Sequence, residues 1–273
     1  MGARVITVTS GKGGVGKTTA TANLAVALAT LDKKVVCIDA DIGLRNLDVV
    51  MGLENRIVYD LVDVVEGRCK LRQAMVKDKR VADLYLLPAA QTRDKTAVSP
   101  QDMVLLTNQL REDYDYILID SPAGIEWGFR NAVAPADEVI VITNPEVSAV
   151  RDADRIIGLI EAEERRIPAS LVINRVKPDM VRKGDMLSVD DVLEILSVRL
   201  LGVIPEDEHI LISSNRGAPL ALDHDKSAAG DAFRNIARRL TGEKVPLLEL
   251  NQKSGGVLRR LARMFGASEP KSL

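Results

Sequence analysis

The stretch that most constrains this chain is RVITVTSGKGGVGKTTATANLAVALATL, residues 4–31. A β-branched run that reads as a strand leads into a glycine-rich turn, and an apolar helical pattern begins at about Lys17. This is the strand, turn and helix context in which G-x-x-x-x-G-K-S/T, here Gly11 to Thr18, cradles phosphate. Gly11, Gly13, Gly14 and Gly16 let backbone N–H groups converge on phosphate oxygens with no Cβ in the way, and the helix N-terminus adds partial positive charge. Lys17 would reach the β- and γ-phosphates and the Thr18 hydroxyl would ligate Mg2+, with Val15 and Thr19 completing the loop. A second lysine, Lys12, lies too far back along the loop to do the work of Lys17.

The rest of the chain repeats the strand and helix alternation. Strand candidates occupy 4–9, 34–39, 84–89, 116–120, 138–143, 170–176 and 200–205, and most are apolar nearly throughout, as strands covered on both faces should be. Amphipathic stretches such as TTATANLAVALATL, SAVRDADRIIGLIEAEER, SVDDVLEILSVRL and DAFRNIARRL lie between them. The pattern predicts an α/β fold, a doubly wound, mostly parallel sheet flanked by helices, in the P-loop NTPase class. It predicts an ATPase domain over 1–241, a linker over 242–256 that carries Pro246 and two turn signals, a short helix over 257–266 and a tail over 267–273.

Composition narrows the function classes. A net charge of −2 gives no overall attraction for nucleic acid, and no nucleic-acid partner is expected. Two cysteines, Cys37 and Cys69, form no C-x-x-C pair, which argues against an iron–sulfur or zinc site and fits a reducing compartment. The start, MGARVITVTS, is strand-like and lacks a signal-peptide core, and no apolar run reaches membrane-spanning length. With His209 and His224 as the only histidines, acid–base catalysis by histidine is not expected.

Carboxylates sit where the metal and the attacking water need them. Asp39 and Asp41 in DADIGLRNLD and Asp120 in DSPAG fall at the C-terminal ends of their strands, the edge at which open parallel sheets bind ligands. Asp120 would hold the Mg2+ shell through water, and Gly124 would let its loop approach the γ-phosphate and move when it leaves. Aspartates at strand ends also serve as helix caps, and that reading stays open for Asp39 and Asp41.

The run Lys12 to Thr18 matches K-G-G-x-G-K-S/T, and here the sequence resembles the deviant Walker A ATPases of the MinD/ParA type. The resemblance implies that Lys12 reaches across a dimer interface to the nucleotide held by the other subunit. It further implies that Asp41 orients the attacking water, that Asp39 assists at the metal, and that Asn174, Pro205, Glu206 and Asp207 contact adenine. Turn and cap roles compete for those last four residues.

The C-terminal stretch GGVLRRLARMFG separates its residues by chemistry when wound as a helix. Val257, Leu258, Leu261, Ala262, Met264 and Phe265 fall within an arc of about 160°, and Arg259, Arg260 and Arg263 within a separate arc of about 100°. A basic amphipathic helix beyond a linker reads as an interfacial membrane anchor; a terminal helix docked on its own domain, or a coiled-coil partner, is the alternative. Each arginine near an anionic leaflet contributes on the order of 1 kcal/mol, each partly inserted apolar side chain about the same, and ordering the segment opposes them. One copy should bind weakly, and two copies held in a dimer gain about 10² to 10⁴ in avidity.

Longer stretches, among them DADIGLRNLDVVMGLENRIVYDL, LLPAAQTRDK, DSPAGIE and ITNPEVSAVRDADRI, resemble the septum-site-determining MinD branch of that family over essentially the whole chain. The branch implies ATP, Mg2+, a homodimer formed on ATP, and peripheral attachment to anionic lipids at the cytoplasmic face of the inner membrane. It implies a MinC-like division inhibitor and a MinE-like ATPase activator as partners, docking on a surface matched by Arg45, Asn46, Ser148, Arg151, Asp152 and Asp154. A ParA-type DNA-partition ATPase is the alternative, and it would need a basic surface where DAFRNIARRL looks like packing.

Overall fold

Runs such as VVCID and YILID have no polar face, so their strands need cover on both sides, and all five residues of each are buried. The computed structural model describes residues 2–223 and 227–247. Eight strands form one sheet: β1 (Arg4–Thr9), β2 (Val35–Asp39), β3 (Val76–Lys77), β4 (Leu84–Leu87), β5 (Tyr116–Asp120), β6 (Glu138–Thr143), β7 (Ala169–Val176) and β8 (Arg199–Pro205). Their order is β3-β4-β2-β5-β1-β6-β7-β8, and every pairing is parallel except that of β3 with β4. The chain leaves β1 towards β2 on one side and later returns to place β6 on the other, so the order reverses beside β1. In such sheets this is where the strand C-termini leave a crevice.

The helices are α1 (Lys17–Ala29), α2 (Leu47–Val50), α3 (Leu61–Val65), α4 (Leu71–Ala74), α5 (Pro100–Leu110) and α6 (Trp127–Val133). They continue with α7 (Val147–Glu161), α8 (Pro178–Lys183), α9 (Val189–Leu196), α10 (Glu208–Asn215) and α11 (Ala228–Leu240). On one face Leu24 and Leu28 of α1 and Phe233 and Ile236 of α11 pack with Ile6, Val8, Ile140 and Ile142. On the other, Met103 and Leu106 of α5 meet Val5 and Ile117, and Val150 and Ile156 of α7 meet Val139 and Val141. Alternate residues of one strand therefore feed different cores. Helix α1 is buried on nearly every side, as a helix without a polar stripe must be.

Seven strands fall within two residues of the runs read from sequence; β3, two residues long and antiparallel, is too short to show a period. One helical reading is corrected. SVDDVLEILSVRL is not a single helix: α9 stops at Leu196, Ser197 turns left-handed at φ 48°, and Arg199 already opens β8. Helix α5 starts on a local signal, with Pro100 in its first turn and a reciprocal capping box between Ser99 and Asp102. The expected linker is tied down where it begins. Arg239 Nε donates to Val245 O at 2.9 Å, its Nη1 donates to Leu201 O at 2.9 Å, and Arg238 Nε donates to Glu243 at 2.8 Å. With Arg234 paired to Asp231, all three arginines of α11 are engaged within the fold. Residues 248–273, including the expected helix over 257–266, lie outside the described residues. Among the described residues no helix is long and apolar enough to cross a membrane.

Two contacts set the placement of α10 and α11. Asp207 caps α10 by accepting from the His209 backbone at 2.9 Å, and it accepts from Ser227 Oγ at 2.6 Å, which joins α10 to the start of α11. Burial opposes ionisation of Asp207, but the hydrogen bonds from Ser227 and His209 outweigh it and bring the carboxyl down to about 2. Gly202 lets α11 lie close on β8, since a Cβ there would sit 2.3 Å from Ile236 Cγ1.

Gly202→Val should therefore destabilise the fold by about 2 kcal/mol or more, measured by urea unfolding. The folded carboxyl of Asp207 lies below its unfolded value of 3.8, so its contribution is present above that value and is lost as pH falls towards about 2. Urea midpoints of the wild type and Asp207→Asn should differ most near neutral pH and converge across that acid window.

Candidate functional site

The loop after β1 reaches α1 through Gly16, which takes the left-handed conformation at φ 94° and offers no side-chain cap to the helix. The first turn of α1 holds no acidic residue, so its free N–H groups face the crevice uncompensated. Two glycines are required by close approach. A Cβ on Gly11 would lie 2.2 Å from the Asp152 carbonyl oxygen on α7, and one on Gly16 would lie 2.4 Å from Asn174 Nδ2. The loop is thus pressed between α7 and the end of β7.

A cavity of about 560 Å3 opens over this loop. Lys12, Gly13, Gly14, Gly16, Lys17, Thr18 and Thr19 line it from below, and Asp41, Asn46, Val49, Pro122 and Ala123 line it from the neighbouring loops. Lys95 and Arg175 also face it. Four cationic side chains, Lys12, Lys17, Lys95 and Arg175, meet a single carboxylate, Asp41, in the lining, and this balance suits a polyanion. Gly11 and Val15 belong to the scaffold beneath. Val15 is buried, and its carbonyl accepts from Asn174 Nδ2 at 2.7 Å.

The two lysines of the loop are held differently. Lys17 is buried, and its Nζ donates to Asp120 Oδ1 at 3.1 Å, where the Thr21 hydroxyl also donates at 3.2 Å. Lys12 is half exposed at the rim, with Nζ 3.5 Å from Ser148 Oγ and 3.9 Å from Glu146 Oε2 at the start of α7.

Asp39 pairs in register with Asp120 and is fully buried. Its carboxylate accepts from the backbone of Asp41 at 2.9 Å, Asn46 at 3.2 Å and Leu47 at 3.1 Å, so it organises the loop that carries Asp41 into the cavity. Burial, followed by the charge of Asp120, pushes the Asp39 carboxyl up to about 7 despite those amides. Burial also raises the Asp41 carboxyl, opposed by the charge of Lys17. The loop carrying Gly124 is tied to the phosphate loop by Gly124 N donating to Ser10 O at 3.1 Å.

Among the described residues no three His, Cys, Asp or Glu groups gather as a ready-made metal cage. The donor set instead fits Mg2+, which takes one or two carboxylates together with substrate phosphate oxygens and water; Asp39, Asp120 and Thr18 are the residues that would supply the protein side. Asn174 fits a base: its Oδ1 is buried and accepts no hydrogen bond, as a site awaiting an amino donor would be. Of the segment expected at adenine, Pro205 is buried, Glu206 lies 4.0 Å from Arg175, and Asp207 is occupied in capping α10.

The expected docking surface is split. Ser148, Arg151, Asp152 and Asp154 share α7, while Arg45 and Asn46 lead into α2 on the other side of the cavity. Arg45 packs its Nε 2.9 Å from the buried Asp48 at φ 43°, so it shapes this loop as well as its surface. The residues Val257, Leu258, Arg259, Arg260, Leu261, Arg263, Met264 and Phe265 lie outside the described residues. Sequence reasoning missed Lys95 and Arg175. Neither carried a signal in the sequence: Arg175 takes φ 58° where the β7 register shifts, which only the fold shows.

Similarity to known proteins agrees with this geometry. Residues 6–220 match the family described as the CobQ/CobB/MinD/ParA nucleotide binding domain. A septum site-determining protein MinD of Bacillus subtilis is 56% identical over 262 residues, covering 96% of this chain and 97% of that protein. MinD in a MinC:MinD cell division protein complex from Aquifex aeolicus superposes with a TM-score of 0.83 at 51% identity, covering 90% of this chain and 98% of that one. A MinD from Pyrococcus horikoshii, solved with Mg-ADP, gives 0.79 at 31% identity, covering 87% and 96%. A shared fold, a phosphate loop in its expected setting and identity at more than half of the aligned positions place the chain in the CobQ/CobB/MinD/ParA family, among the MinD cell-division ATPases.

Proposed function

We propose that this ATPase is a membrane-attached switch in which ATP joins two copies of the chain. The observation that carries the reading is the difference between the two loop lysines. Lys17 is fixed inside on Asp120, whereas Lys12 stands half exposed on α7, free to swing to a nucleotide held by a second copy.

In the proposed reaction the loop amides and Lys17 hold the β- and γ-phosphates, and Asn174 with the segment Pro205–Asp207 receives the base. Asp41 orients a water for in-line attack on the γ-phosphate, while Lys17 and the Lys12 ammonium of a second copy stabilise the charge that develops. Asp39, Asp120 and Thr18 would hold Mg2+, which when bound neutralises charge across the phosphate oxygens. Asp39 is the less available of the two carboxylates, since its oxygens already serve the Asp41 loop. Gly124 carries the loop that responds when the γ-phosphate leaves, through its bond to Ser10. Hydrolysis by the isolated protein is slow, because a switch that discharged itself could not hold its partners.

Dimerisation brings two copies of the basic amphipathic segment 257–266 onto one lipid surface, at the cytoplasmic face of the inner membrane. The joined subunits present Arg45, Asn46, Ser148, Arg151, Asp152 and Asp154 to a MinC-like division inhibitor. A MinE-like activator then restores hydrolysis and releases the dimer. The relative solved as a MinC:MinD complex supports the inhibitor as partner.

Lys12→Ala should abolish ATP-dependent dimers in light scattering while nucleotide still binds; unchanged dimerisation would remove Lys12 from this role. Deleting residues 256–273 should eliminate ATP-dependent sedimentation with anionic liposomes, and persistent sedimentation would place the membrane site elsewhere.

A further inference from the structure

Arg80 lies outside the nucleotide cavity, yet its guanidinium joins two segments that lead into it. Nη1 donates to the Gly217 carbonyl at 2.7 Å, and Nη2 donates to the Met51 carbonyl. Nε and Nη2 hold the two oxygens of Asp78 at 3.1 and 2.7 Å, and Asp78 is itself 1% exposed. That buried carboxylate fixes the plane of the fork, and the rest of the fork points at the two carbonyls.

The Met51 carbonyl ends an element that lines the cavity, and the Gly217 carbonyl follows the helix that braces it. Met51 closes α2, whose Val49 and Val50 line the cavity and whose first turn is held by Asp39. Gly217 follows α10, whose cap Asp207 belongs to the segment expected at the base. At this point the two backbones touch: a Cβ on Gly217 would lie 2.5 Å from Gly52 Cα, and one on Gly52 would lie 2.4 Å from Gly217 O. The Arg80 guanidinium supplies a charged donor to both carbonyls where the backbones meet.

We propose that Arg80 is a positioning residue for nucleotide binding, locking the end of α2 against the end of α10 and so setting the width of the cavity. The inference rests on the ATPase activity of the family and is independent of the dimer and membrane readings. A lysine cannot replace it fully, because a point charge lacks the planar fork that spans both carbonyls and Asp78. The wall it holds faces the nucleotide whether or not the γ-phosphate is present, so ATP and ADP are affected alike.

Full-length protein would be compared by calorimetric titration with ATP and with ADP, by steady-state phosphate release, and by thermal unfolding. Arg80→Met should raise Kd for both nucleotides about tenfold and raise KM with it, leaving kcat within about twofold. Arg80→Lys should fall between wild type and Arg80→Met. Gly217→Ala, which pushes the two backbones apart with Arg80 intact, should raise Kd in the same direction. A folded Arg80→Met with unchanged Kd, or one that loses kcat at unchanged KM, overturns the proposal. Should Arg80→Met not fold, Arg80→Lys is judged by the same criteria.

Discussion

The ion pair between Lys17 and Asp120 is the joint on which the site depends. Both groups are buried, at 8% and 1% side-chain exposure, so neither can be left charged without the other. The pair spans the first turn of α1 and the end of β5, and Thr21 adds a second donor from the same helix. The N-terminus of α1 is thereby fixed against the centre of the sheet, where its free amides face the crevice. Lys17 thus stands at the floor of the cavity with its ammonium already held in place.

Beside this joint a chain of short polar ties links the surrounding elements. Asp39 holds the start of α2 from the end of β2, and Arg80 holds its end against the segment that follows α10. Asp207 and Ser227 join α10 to α11, and Asn23 on α1 accepts from the backbone of Ala221 at 2.8 Å between them. Elements far apart in sequence are therefore tied to one another beside the cavity.

Lys12 and α7 form the other side of this design. Gly11 brings the loop into backbone contact with Asp152, and Lys12 then lies over Ser148 and Glu146. The helix read as a docking surface is in direct touch with the phosphate loop. Its apolar stripe of Val150, Ala153, Ile156, Ile157 and Ile160 is buried against the sheet.

The fold class and the phosphate loop were legible in sequence because each rests on local physics. Buried parallel strands read as unbroken apolar runs, and glycine spacing followed by Lys17 and Thr18 marks a phosphate turn wherever strand and helix flank it. The end of α9 was not legible, since the apolar period runs through Val198 and Leu200 into β8 and only the left-handed Ser197 breaks it. Lys95, Arg175 and Arg80 were equally hidden among charges that resemble a solvated surface. Asp39 read as a metal ligand or a cap, and the fold adds that it organises its own loop through three backbone amides that no spacing predicts. By itself the sequence determined that this chain would wind a parallel sheet and bind phosphate at its edge, because those properties follow from neighbours in the chain. Tertiary structure alone decided which charges meet, because a carboxylate becomes an anchor, a ligand or a cap only through the groups that folding brings within 3 Å or so of it.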